Sequence, residues 1–174
     1  MMVFSRPSVW TFSSLMALFM SLISLSVLDA QVVKRIPDQP MSIEAIEVVG
    51  AKVWLGTPQG AYRVDGETAK RIPDEALSIR AITVVGDKVW LGTAQGAYRV
   101  DGETAKRIPD KDLSIEDVEV VGAKVWLGTH HGAYRVDGET AKRIPDEALF
   151  IRAIKAVGAK VWLGTALGAY RISP

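Results

Sequence analysis

The chain repeats itself every 36 residues, four times over, with no insertion breaking the register. Lys-Arg-Ile-Pro-Asp begins at Lys34, Lys70, Lys106 and Lys142. Lys-Val-Trp-Leu-Gly-Thr begins at Lys52, Lys88, Lys124 and Lys160, and Gly-Ala-Tyr-Arg at Gly60, Gly96, Gly132 and Gly168. A strict period of this length marks a small supersecondary unit stacked against copies of itself, each contacting its neighbours.

Within one unit, four short β-type runs alternate with turn signals. Ile43 to Val49 leads into Gly50-Ala51, and Lys52 to Leu55 into the loop Gly56-Thr57-Pro58-Gln59-Gly60. Val53, Trp54 and Leu55 are strong strand formers. Ala61 to Val64 closes on Asp65-Gly66, which predicts a hairpin with a type I′ turn, whose two central residues need positive φ. Glu67 to Ile72 ends at Pro73, which has no N–H to give a sheet ladder. No uninterrupted 3.6-residue pattern is long enough for a helix. Four antiparallel strands in one short unit make a propeller blade. A parallel β-solenoid is the rival fold, and the tight Asp-Gly turns count against it. The expected fold is therefore all-β, a small β-propeller of four 36-residue, four-stranded blades.

Residues 1–30 stand apart from the domain expected over 31–174. Met1 to Ser8 carries one charge, Arg6, and Val9 to Leu28 is uncharged and mostly apolar, ending near Ala30. That layout suits a cleaved secretory signal, while its length also suits an uncut membrane anchor through residues 9–28. Either way the repeats are expected outside the cytoplasm, secreted, periplasmic or anchored. Gln31 to Ile36 matches a fourth strand with no blade before it, and the last unit supplies only three strands by Ile172. Pairing the spare strand with the incomplete blade would close a ring and hide two open edges; the alternative is that the repeat boundaries are arbitrary.

A charge pattern agrees with an even ring. Position 44 and its equivalents read Glu44, Arg80, Glu116, Arg152; three residues on, the series is Glu47, Thr83, Glu119, Lys155. Such a collar on the innermost strands would pair neighbouring blades and help select an even count, although duplication of a two-blade unit also explains it. Four blades in a monomer and eight in a homodimer both satisfy the pattern. Over the whole chain 21 basic residues face 20 acidic ones, so no net field favours nucleic acid. Cysteine is absent, which removes disulfides, thiolate metal sites and cysteine nucleophiles.

Val53-Trp54-Leu55-Gly56-Thr57-Pro58-Gln59-Gly60-Ala61-Tyr62-Arg63-Val64-Asp65-Gly66 resembles the two-component regulator propeller repeat. All four units match through Tyr-Arg, and the last departs after Arg171. The resemblance covers nearly all of residues 31–174. It implies a periplasmic or extracellular sensory propeller of the kind often attached to histidine kinases and detecting ligands such as glycans. The unit here is shorter than that repeat, and no kinase, receiver or DNA-binding region accompanies it, so signalling by this chain alone is not implied.

Trp54, Trp90, Trp126 and Trp162 share one strand position and are expected to build the core, since each offers roughly 150 to 250 Å² for burial. Functional candidates are the loop residues that break the repeat: Gln59, Gln95, His130, His131 and Leu167 between the second and third strands, with the segments before each first strand on the same face. Loops on a rigid scaffold are where binding residues sit; free drift after duplication is the plain alternative. His130-His131 lack a third ligand at metal-binding spacing, so no metal is expected. The Gly-Thr-x-x-Gly loops are not phosphate loops, because no helix follows them. No cofactor motif is present. A carboxylate pair, Glu44 with Glu116, is a conceivable hydrolase site, but pairing of both with Arg80 and Arg152 is the simpler use. The sequence thus points to a non-catalytic module binding a glycan or a protein, with a repeat scaffold for assembly as the alternative and a propeller hydrolase or lyase behind both.

Overall fold

A computed structural model describes residues 34–36, 40–73, 75–109, 111–145 and 149–173. The expected signal or anchor segment, 1–30, lies outside the described residues. Among these described residues, fifteen strands make four antiparallel sheets, one per repeat, each in simple up-and-down order. Blade 1 holds β1 (Ala45–Val49), β2 (Lys52–Thr57), β3 (Gly60–Asp65) and β4 (Thr68–Arg71). Blade 2 holds β5 (Ile79–Val85), β6 (Lys88–Thr93), β7 (Ala97–Asp101) and β8 (Thr104–Arg107). Blade 3 holds β9 (Ile115–Val121), β10 (Lys124–Thr129), β11 (Gly132–Asp137) and β12 (Thr140–Arg143). Blade 4 holds β13 (Ile151–Val157), β14 (Lys160–Thr165) and β15 (Gly168–Ile172).

The hairpins form where the sequence places them, but the third-to-fourth turn is of another type. Asp65 pairs with Thr68, so the two loop residues are Gly66 and Glu67, not Asp65 and Gly66. Gly66 has φ +63°, and among the described residues only glycines have positive φ. Positive φ at the first central residue alone is the pattern of a type II′ turn. Asp65 instead stays in the ladder, where its carboxylate accepts from Arg63 at 3.0 Å.

The core lies between blades. Trp54, Ala61 and Ile72 of blade 1 pack on Ile79, Ile82, Val89, Leu91 and Val100 of blade 2. The same layer recurs with Trp90 against Ile115 and Leu127, and with Trp126 against Ile151 and Leu163. Glycine in the second strand makes the close approach: a Cβ on Gly56 would fall 2.7 Å from Ile79 Cγ2, and one on Gly92 2.7 Å from Ile115 Cγ2. An isoleucine knob of one blade thus fills the hole left by a glycine of the blade before.

The layer stops at both ends of the array. Trp54, Trp90 and Trp126 are 5–6% exposed, whereas Trp162 is 41% exposed. The expectation that all four tryptophans are core therefore holds for three of them. Trp162 lies on the face of blade 4 that no further blade covers, with the Arg171 guanidinium 6.0 Å from its ring centre. On blade 1, Ile43 and Ile46 are 44% and 62% exposed, while their counterparts in later blades are at most 8% exposed. Residues 34–36 carry no strand, and Ile36 is exposed where its equivalents Ile72 and Ile108 are buried. The remainder of the expected closing strand, 31–33, lies outside the described residues.

Candidate functional site

The loops that vary between blades are held by a residue that does not vary. The N–H groups of Gln59, Gln95, His131 and Leu167 each donate to the hydroxyl of the threonine two residues before, at 3.0 Å. That hydroxyl in turn donates to the carbonyl of Gly60, Gly96, Gly132 or Gly168 at 2.8–3.0 Å. Thr57, Thr93 and Thr129 are buried, so a fixed backbone turn presents side chains that are free to differ. Gln59, Gln95, His130, His131 and Leu167 are all exposed.

The two loop families share a face. Arg107 donates to Asp112 Oδ1 at 2.7 Å and reaches the Gln95 carbonyl at 3.5 Å, tying the loop after β6 to the segment before β9. At Gly60 and Gly96 an added Cβ would sit 3.6 and 3.5 Å from the carbonyl oxygens of Glu75 and Lys111.

On that face the non-repeating side chains converge beside the starts of β5, β9 and β13. Glu116, near the start of β9, accepts from Arg80 Nη1 of blade 2 at 2.6 Å. Its same oxygen lies 2.9 Å from His130 Nε2. Ser114 lies 3.0 Å from the same Arg80 nitrogen. The His130 ring meets Phe150 of blade 4 edge-to-face, with centroids 4.2 Å apart, and Arg152 places its guanidinium 5.4 Å from the Phe150 centre. Phe150, 39% exposed, thus stands between a histidine and an arginine. Of the collar, Arg80 with Glu116 pairs as the alternation predicts, while Arg152 leans on Phe150 and Glu44 accepts from Ser42 at 3.1 Å.

Phe150 was not among the sequence candidates, though a signal for it existed: its equivalents are Ser42, Ser78 and Ser114. Asp117 was missed in the same way, since it replaces Ala45, Ala81 and Ala153. It lines a cavity of about 500 Å³ with Glu47, Glu119 and Lys155. Its carboxylate accepts from Ile154 N of blade 4 at 2.7 Å and from Val118 N at 2.8 Å. Burial nevertheless pushes its pKa above the usual 3.8, outweighing those donors and Lys155, which pull it down. Lys155 Nζ donates to Glu119 Oε2 at 3.0 Å, and this bond holds the ammonium pKa above its ordinary value.

No family model and no curated protein sequence matches the chain. Solved structures do. The computationally designed Ika4 protein is 14% identical, with 83% of this chain and 99% of that one covered and a TM-score of 0.69. An extracellular domain of a hybrid two-component system from B. thetaiotaomicron is 17% identical over 76% of this chain, with a TM-score of 0.65. This chain spans about a fifth of that domain, 21% of its length. Virginiamycin B lyase from Staphylococcus aureus, in a catalytically inactive form, is 14% identical over 79% of this chain and 57% of that one, with a TM-score of 0.55. At these identities the likeness is one of fold. The chain is an all-β protein built of propeller-type blades.

Proposed function

We propose that this chain is a non-catalytic, extracytoplasmic binding module that takes a glycan on its variable-loop face, centred on Phe150. The observation that carries this is the convergence of His130, Phe150 and Arg152 at the junction of blades 3 and 4, joined through Glu116 to Arg80 of blade 2. A sugar ring can lay its C–H face on an exposed aromatic ring, while imidazole, guanidinium and carboxylate groups around it bond hydroxyls. Few precisely aimed polar groups beside apolar surface is how orienting sites are built. The apolar segment at the N-terminus and the likeness to an extracellular sensor domain support the location. A protein loop is the second ligand class, favoured by the bare apolar Leu167, 85% exposed on the same face.

Titration of the full chain with soluble oligosaccharides, read by calorimetry, tests the proposal. Phe150→Ser restores the residue of the other blades, so the fold should persist while affinity falls at least about tenfold, equivalent to roughly 1.4 kcal/mol. His130→Ala should weaken binding to a similar degree. Binding that is indifferent to both changes, or absent across neutral and acidic oligosaccharides, would sink the glycan assignment. Glu116 is occupied by Arg80 and His130, which suits binding better than proton transfer. Any turnover abolished by Glu44→Gln or Glu116→Gln would show that the module is an enzyme after all.

A further inference from the structure

The two ends of the blade array carry the residue types of the two sides of an internal junction, and each is uncovered. Blade 4 presents Trp162, Ala153 and Ala169 exposed, the places that in blade 2 are filled by the buried Trp90, Ala81 and Ala97. Gly164 leaves the hole that Gly56, Gly92 and Gly128 leave. Where their Cβ positions meet an isoleucine of the next blade at 2.7–2.9 Å, that of Gly164 meets only Ala153 of its own blade, at 3.5 Å or more. Blade 1 presents the knob: Ile43, 44% exposed, is the equivalent of Ile79, Ile115 and Ile151, each fully buried. Ile46 and Val48 extend that bare surface. Contiguous apolar surface of this kind on a soluble domain marks an association site.

We infer that a second copy of this chain covers both faces, blade 4 of each chain seating on blade 1 of the other, to give a ring of eight blades with twofold symmetry. The junction needs no new chemistry, since the chain already makes it three times with the same residue types. Its charges fit as well. Blade 4 carries Arg152 where blade 2 has Arg80, and blade 1 carries Glu44 where blade 3 has Glu116. The new junction therefore has the parity of the one between blades 2 and 3, where Arg80 and Glu116 lie 2.6 Å apart. Ile36 of the partner would fall beside β15, in the place where Ile72 donates to the Ala61 carbonyl at 2.9 Å and is buried. Within one chain both faces remain bare, so the four-blade array does not bring them together. Head-to-tail contacts must either close or run on as a filament, and two copies close with every face filled. The partner would then close that cavity into a channel, adding a second Glu44 and Glu47 to its wall.

The mass of the purified full chain, measured by light scattering from micromolar to hundreds of micromolar, tests this, with two differently tagged copies co-expressed and pulled down through one tag. The expected results are twice the chain's own mass and recovery of both tags. Gly164→Ala is the informative variant: its Cβ meets nothing closer than 3.5 Å in the single chain, but would strike Ile43 of a partner as Gly92→Ala strikes Ile115. It should keep the wild-type circular dichroism and raise the dimer dissociation constant at least about tenfold. Ile46→Asp should do the same from the other side. A single-chain mass throughout would overturn the inference in favour of four blades in one chain. A two-chain mass unmoved by either variant would overturn it in favour of contact elsewhere, and masses growing beyond two would exclude the closed ring.

Discussion

At the scale of single residues, what matters is where the repeat is broken. Thr57, Thr93 and Thr129 repeat because a buried hydroxyl satisfies two loop positions at once, and losing such a partner would leave backbone groups unpaired. Asp117 does the opposite: it puts one carboxylate where other blades have alanine. Its folded pKa lies above the unfolded 3.8 because burial disfavours the charge. A carboxyl group that holds its proton more tightly when folded contributes stability below pH 3.8. That contribution is lost as pH rises through the folded value. Asp117→Asn, which keeps an acceptor for Ile154 N without a charge, should therefore gain on the wild type as pH rises from 3 to 7. Melting temperatures of the two proteins across that range would show a widening gap; a gap that is constant or narrowing would mean the hydrogen bonds outweigh burial.

At the scale of elements, each blade is fixed locally and each junction by shape. Hairpin registers follow from Gly50 and Gly66, whose φ of about +60° suits the first position of a two-residue turn. Only the assignment of which two residues form the second turn shifted by one, because Asp65 gains a ladder bond and an arginine partner by staying in β3. Junctions depend on the missing Cβ of the second strand. Gly92→Ala should cost about 1–3 kcal/mol, as overpacking does in a filled core. Gly164→Ala in the single chain should be neutral, or stabilise by up to ~1 kcal/mol through lower unfolded-state entropy. Urea denaturation of both variants at a concentration where the chain is single checks the contrast; equal destabilisation would refute the knob-and-hole account. Surface links between outer strands, Lys70 with Glu103 and Lys106 with Glu139, add little, because both partners are solvated.

At the scale of the whole molecule, stability runs along the array, since the core of each blade packs on its neighbours. Blades 2 and 3 are covered on both faces, whereas blade 4 has a three-stranded sheet ending at β15, where Gly168 to Arg171 are all exposed. In dilute solution the amides of β14 and β15 should exchange orders of magnitude faster than those of β6 and β10, because sub-global opening begins where contacts are fewest. Hydrogen exchange resolved by strand decides this, and uniform protection across the four blades would contradict it. If two chains form the ring, the difference should fade as concentration rises and the open faces are filled.

The repeat, the strands of a unit, three of the four tryptophans, one pair of the collar (Arg80 with Glu116) and the loops that carry variation were legible in the sequence. They depend on short-range rules: pleat alternation, turn chemistry and the demand that identical units stack identically. Three things waited for the tertiary structure. Trp162, identical in its local sequence to Trp54, is bare because exposure depends on whether a blade follows, which no local pattern encodes. Phe150 and His130 are 20 residues apart and on different blades, and only the junction brings their rings to 4.2 Å. The glycine of each second strand reads as a turn signal in sequence, yet its physical use is to admit the isoleucine of the next blade. Local patterns specify what one blade is; the packing of blades decides which copies of the same residue are core, which are surface, and where His130, Phe150, Arg152, Glu116 and Arg80 meet.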